Sequence, residues 1–183
     1  MKFKITILLI FLNCALATDP YRGWNYYEEN GIGIYYMSPP WELCPSSTYP
    51  NECHDIENSI SFWIPPLVLL PEYLIIPPYK FEVIEVNFSS DTLSLIQQER
   101  DQVVNNGVEI IKEPSPFETA WGIKGHEFIY YDRLNREDPR YFRVVYISDL
   151  EARRTLKIVL DSNVEVTSEE VIDMLKGVKF VNE

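Results

Sequence analysis

"TAWGIKGHEFIYYDRLNREDPRYFRVVYISDLEARRTLKIVLD", residues 119–161, decides how this chain folds. It divides into three runs rich in β-branched and aromatic residues, at 119–132, 140–148 and 154–161. The polar pieces "RLNREDP" and "DLEAR" join them. Such runs read as strands, and short polar connections between them read as hairpin turns. Phe142, Val144 and Tyr146 mark one face of the middle run, and Leu156, Ile158 and Leu160 mark one face of the last. Alternate residues of a strand point to opposite sides, so each strand offers an apolar face to a core.

Outward from this meander the other elements follow. "GIGIYYM" (31–37), "SISFWI" (59–64), "KFEVIEVNF" (80–88) and "VEIIK" (108–112) read as strands. Residues 18–30 read as an extended lead-in, and 41–58 as a polar loop. A helix is predicted over about 91–106, with Ser89 or Ser90 as its cap and Gly107 at its stop. Leu93, Ile96, Val103 and Val104 are expected to share its buried face. A second helix is predicted at about 168–176, opened by a Thr167–Glu170 capping box and ended by Gly177. "VKFV" (178–181) then packs or pairs at an edge. Strands, helix, meander and terminal helix make an α+β chain, an antiparallel sheet with helices packed on its faces.

With the elements in this order, a resemblance emerges. The glycine-containing strand ending in "SPPWEL" is like the Pro-x-x-Trp signature that opens the PsbP and Mog1 fold. "GIKGHEFIYY", "RYFRVVYI", "TLKIVL" and "EEVIDMLKGVKF" run in the order of that fold's closing hairpins and last helix. The likeness covers most of the chain beyond its first residues, and it does not map the Pro-rich apolar insertion at 65–79. The family includes photosystem accessory proteins, a nuclear-transport factor and bacterial lipoproteins. It is mostly non-enzymatic, so the resemblance implies a binding or accessory role, in the form of a small bacterial exported lipoprotein.

The first residues, "MKFKITILLIFLNCALATDP", read as an export signal. Lys2 and Lys4 precede an apolar stretch too short to span a bilayer. Ala15-Leu16-Ala17 suits signal-peptidase cleavage after Ala17. "FLNC" resembles a lipobox, although Phe11 and Asn13 depart from its usual residues, and makes Cys14 the candidate lipidation site. Lipid anchoring to the cell envelope is preferred over a soluble periplasmic or secreted form. The domain division is thus 1–17 as signal and 18–183 as a single domain. Of three cysteines, Cys44 and Cys53 remain once Cys14 is assigned. Export implies oxidising surroundings, so these two are expected to form a disulfide, worth about 2–3 kcal/mol for so short a loop.

Charge and motifs exclude more than they identify. The formal net charge is −12, and removal of Lys2 and Lys4 takes it to −14. Such a surface repels phosphate backbones, and nucleic acid is not expected as a partner. Cys53-His54 with Cys44, Asp55 and Glu57 matches no standard zinc spacing, and His126-Glu127 is not followed by a second histidine at Tyr130. His126 is expected to be a polar edge residue of its strand. Gly31-Ile32-Gly33 lacks the third glycine of a dinucleotide loop. No cofactor, metal ligand or catalytic residue is assigned. The arginines at 133, 136, 140, 143, 153 and 154 are read as a surface neutralised by Asp132, Glu137, Asp138, Asp149 and Glu151. Asn87-Phe88-Ser89 is a glycosylation sequon, meaningful in a eukaryotic source.

"PPLVLLPEYLIIPPY" (65–79) is dense in apolar residues yet broken by Pro65, Pro66, Pro71, Pro77 and Pro78. Prolines and Glu72 forbid a transmembrane helix. Leu67, Leu69, Leu70, Tyr73, Leu74, Ile75 and Ile76 are the candidate contact residues for a protein partner or a membrane surface. The competing reading, which is preferred, buries Leu67–Ile76 against its own domain. Leaving about eight large apolar side chains in water forgoes on the order of 12–24 kcal/mol, more than the net stability of many domains. The expected function is an exported, lipid-anchored, non-enzymatic binding or accessory module. The alternatives are a carboxylate-based hydrolase and a self-associating structural envelope protein.

Overall fold

The computed structural model describes residues 20–37, 42–43, 59–64, 67–69, 74–76, 79–133, 139–163 and 169–181. Its strands are β1 (Asn25–Glu29), β2 (Ile32–Tyr36), β3 (Glu42–Leu43), β4 (Ser59–Ile64), β5 (Leu67–Leu69), β6 (Leu74–Ile76) and β7 (Tyr79–Val86). Helix α1 (Thr92–Asn105) follows, then β8 (Glu109–Glu118), β9 (Lys124–Asp132), β10 (Arg140–Asp149) and β11 (Arg154–Ser162). Helix α2 (Glu169–Lys176) and β12 (Lys179–Phe180) close the chain.

The meander forms the middle of a seven-stranded sheet of order β3-β4-β7-β11-β10-β9-β8, antiparallel at every pairing. Register puts Val144 opposite Phe128 and Val159, and Val145 opposite Glu127 and Ile158. The alternation read from the sequence therefore feeds two cores. On one face, Phe62, Phe81, Val83, Val145, Ile147, Leu156, Ile158 and Leu160 pack with Ile32, Ile34, Val171, Met174, Leu175 and Val178. These come from β2 of a three-stranded sheet, β1-β2-β12, from α2 and from the link between α2 and β12, which together roof that face. On the other face, Phe128, Val144 and Tyr146 pack against Ile96 of α1. Each fully buried Leu, Ile or Phe side chain contributes about 1.5–3 kcal/mol.

Several elements differ from their sequence reading. Residues 25–29 are not a plain lead-in but strand β1, joined to β2 by Asn30 and Gly31 at φ of 51° and 69°. Both residues are left-handed, as the tight hairpin turn requires. Strand β8 runs beyond 112 to Glu118, through Pro114 and Pro116 and two register irregularities. It lies at the sheet edge, where a missing N–H is tolerated. The run 119–132 is a turn followed by a strand, because Thr119 to Ile123 fold on the Thr119 hydroxyl, which accepts from the amides of Trp121 (3.3 Å) and Ile123 (3.2 Å). The cap of α1 is Asp91, accepting from the Ser94 amide at 3.0 Å; Ser89 instead accepts from the Asp91 amide.

The buried face of α1 is also rotated from expectation. Thr92 and Ile96 are buried and Leu95 and Val103 pack beside them, whereas Leu93 and Val104 stay 37% and 38% exposed. Glu99 turns inward to Tyr146 and Lys157 and draws the face towards itself. Arg140, Arg143 and Arg154 meet carboxylates beyond those named from the sequence, while Arg136 lies outside the described residues. Arg143 reaches the buried Glu127, which Lys112 also holds at 2.6 Å; Arg140 reaches Asp161 and Arg154 reaches Glu85. Cross-strand register, rather than sequence proximity, selects these pairs.

Candidate functional site

At one end of the large sheet, three turns meet. They are the start of α1, the Thr119–Ile123 turn between β8 and β9, and the Asp149–Arg153 turn between β10 and β11. Between them lies a cleft of about 680 Å³, with Thr92, Trp121, Lys124, His126, Asp149 and Leu150 in its lining. Each wall is held locally. The Asp149 Oδ1 atom accepts from the amides of Glu151 (2.9 Å) and Ala152 (3.0 Å), which folds the β10–β11 turn. That turn closes with Arg153 at φ 54°. Ser148 and Thr155 tie its base to Ser89 by hydroxyl–carbonyl bonds of 2.8 and 3.3 Å. Leu150 stands at the tip, 63% exposed, and Trp121 across the cleft is 38% exposed.

Trp121 belongs to a second feature. Its ring lies 5.5 Å from Tyr35 and 5.8 Å from Tyr21, and its Nε1 donates to the Gly177 carbonyl at 3.4 Å. Tyr26 lies 4.8 Å from Tyr35. The Lys179 ammonium is 4.6, 5.3 and 5.1 Å from the ring centroids of Tyr26, Tyr35 and Trp121. A cation over aromatic faces is attracted by their quadrupoles. Gly33 lies between Glu28 and Lys179 in the strand register, and a side chain there would collide with the Tyr26 hydroxyl. The outer face of β1-β2-β12 is thus an aromatic platform that backs Trp121 and the cleft. Burial, then the hydrogen bond and charge of Glu28, raise the Tyr26 phenol above its ordinary range.

The cleft also holds a hydroxyl–imidazole pair. The Thr92 hydroxyl and His126 Nδ1 are 2.8 Å apart, the length that a nucleophile and base need. Thr92, however, is only 7% exposed, and among the described residues no carboxylate hydrogen-bonds the imidazole to orient it. Nor does any group of three or more His, Cys, Asp or Glu among those residues have the geometry to hold a metal ion.

The residues singled out from sequence fall elsewhere. Cys14, Cys44, Cys53, Leu70 and Tyr73 lie outside the described residues, as do His54 and Glu72. Leu67 and Leu69 on β5, and Leu74, Ile75 and Ile76 on β6, belong to an antiparallel ribbon that pairs Leu67 with Ile76 and Leu69 with Leu74. No helix among the described residues is long and apolar enough to cross a membrane. His126 is not an edge residue: β9 lies between β10 and β8, and the ring is half-buried against α1. Trp121, Leu150 and Thr92 were missed. A leucine inside an otherwise polar turn, as in "SDLEAR", is the signal by which Leu150 could have been found.

Solved structures share this architecture. The Saccharomyces cerevisiae Ran-binding protein Mog1p matches with a TM-score of 0.59 at 8% identity, over 87% of this chain and 96% of its own. The fold is Mog1-like. A mutant form of Mog1 gives a TM-score of 0.57, again at 8% identity and over 87% of this chain and 96% of its own. No protein-family model matches the chain, and no curated protein matches it in sequence. The Mog1-like likeness bears out the α+β reading and the fold half of the resemblance drawn from "SPPWEL" and the closing hairpins. At this identity it speaks for the fold alone.

Proposed function

We infer that the chain is a non-enzymatic binding or accessory module, and that the cleft between Trp121 and Leu150 is where it docks a protein partner. One observation carries this reading. Two large apolar side chains face one cleft from turns that hydrogen bonds hold in place, and one of them is 63% exposed. Exposed apolar groups on rigid turns are ready-made contact anchors, since little conformational freedom is lost when they are covered. The Mog1-like neighbour described as a Ran-binding protein makes a protein the first class of partner to test. A photo-crosslinking amino acid placed at position 150 tests the reading in the source cells. It should yield a discrete adduct that disappears when Trp121→Ala is added, read below that variant's own melting midpoint, because loss of the ring's contacts with Tyr35 and Tyr21 lowers stability. Crosslinking that ignores Trp121→Ala overturns it.

A finer proposal concerns where the module works. The signal-like start, the lipobox-like Cys14 and the pair Cys44 and Cys53 support an exported, lipid-anchored form with one disulfide. Intact-mass analysis of the natively produced protein tests all three features together. An unprocessed Met1 terminus, or free thiols at both Cys44 and Cys53, overturns the corresponding part.

A further inference from the structure

We propose that the segment docked in the cleft presents an apolar side chain to Trp121 and Leu150 and an arginine or lysine to Asp149 and Glu151. The proposal rests on the docking reading above and adds the partner's chemistry.

Several acidic side chains on or against the large sheet hold cations. Glu127 holds Lys112 and Arg143, Asp161 holds Arg140, Glu85 holds Arg154, and Glu99 holds Lys157. On α1 and β8, Arg100 takes Asp101 and Glu113 at 3.0 Å. The two carboxylates of the β10–β11 turn stand outside these pairs among the described residues. Asp149 uses its Oδ1 on two backbone amides of its own turn and meets no cation among the described residues. Glu151 contributes its amide to that turn, while its exposed side chain meets no cation among the described residues. The neighbouring guanidinium of Arg153 lies 5.4 Å over the Phe88 ring, on a different contact. Lys124 is the one lysine in the lining, and it stands opposite Glu118 in the strand register. Among the described residues, the lining therefore sets two carboxylates without an ion pair, against the single lysine Lys124, beside an exposed leucine and tryptophan. A carboxylate left without a counter-ion at the rim attracts and orients a cationic partner, raising specificity and encounter rate more than affinity. The cleft's volume, within the ordinary range for a binding pocket, leaves room for a short segment to enter.

The test uses the ¹⁵N-labelled full chain and three probes: acetyl-Gly-Arg-Leu-Arg-Gly-amide and its counterparts with both arginines replaced by glutamine or by glutamate. Resonances of the Trp121 indole and the Leu150 amide report the cleft. The arginine peptide should move both signals at the lowest concentration, and added salt should weaken it alone. Glu151→Gln, which keeps the backbone amide that the turn uses, should weaken the arginine peptide about threefold and leave the glutamine peptide unchanged. Equal binding of all three, or strongest binding of the glutamate peptide, overturns the charge assignment while leaving the docking cleft intact. No movement of either signal with any peptide also overturns the proposal, and the crosslinking at position 150 judges the cleft itself independently.

Discussion

Gly125→Ala puts the close packing behind the cleft to the test. Gly125 pairs with Ile147 on β10, and it is buried next to His126. A Cβ built there would overlap the Tyr146 carbonyl oxygen and lie 2.9 Å from the Ile147 Cγ2 atom. The oxygen belongs to a strand paired on both sides, so it cannot retreat without loosening the ladder. Overpacking costs about 1–3 kcal/mol, and one or two weakened ladder bonds add about 1 kcal/mol each. A loss of about 3 kcal/mol lowers the melting temperature by about 6–12 °C in a domain of this size. Gly122→Ala is the internal control. Gly122 has φ 77°, but its nearest neighbour is Glu118 Oε1 at 3.9 Å, so only backbone strain opposes the change. That strain is about 1–2 kcal/mol, partly offset by about 0.4–1 kcal/mol from a stiffer unfolded chain. Circular dichroism melts of both variants, with urea slopes to check two-state behaviour, give the comparison. A Gly125→Ala midpoint within about 2 °C of wild type, or a larger loss for Gly122→Ala, would refute the close-approach argument.

Three other outcomes are expected. Burial first, then the hydrogen bond and charge of Glu99, raise the Tyr146 phenol above its ordinary value. Its contribution is therefore complete below about pH 10, the unfolded value, and is lost as pH rises towards the folded one, so Tyr146→Phe should flatten the alkaline fall in melting temperature. The Arg154 hydrogen bonds, with its charge adding to them against a counteracting burial effect, lower the Glu85 carboxyl, so that contribution is present above about pH 4 and is lost as pH falls through the depressed folded value. Arg154→Met should flatten that acid slope, and it should loosen the β1–β2 turn, whose Asn30 and Gly31 carbonyls accept from Arg154 at 2.7 and 3.0 Å; melts across the acid range and amide exchange at Ile32 read the two effects. Ile75→Asp, in the β5–β6 ribbon, should destabilise the protein by several kcal/mol if the ribbon is buried on its own domain; an unchanged midpoint would instead favour the partner-surface reading.

The sequence alone carried the meander and its two-sided alternation. Period-two patterning in "RYFRVVYIS" and "RTLKIVLD" is a local property, and local sterics send alternate side chains to opposite faces whatever lies above them. Gly107, at φ 82°, likewise ends its helix for a local reason, whereas Gly177 is needed because a side chain there would crowd Tyr21 and Tyr35. The hairpin at Asn30-Gly31 was also legible, since that dipeptide favours left-handed turns, but the polar "YYEE" before it hid the strand it joins. Tertiary structure alone decided the rest. Only pairing brings Glu127 between Lys112 and Arg143, and only packing turns Glu99 inward and rotates α1 away from Leu93 and Val104. The cleft was beyond sequence reading for the same reason. Thr92 at the start of α1 and Trp121 and Leu150 on two turns are far apart in the chain, and the order in which antiparallel strands pair brings them to one end of the sheet. Composition and periodicity report what each residue prefers next to its neighbours; which distant turns share an edge depends on long-range pairing, and no local preference encodes it.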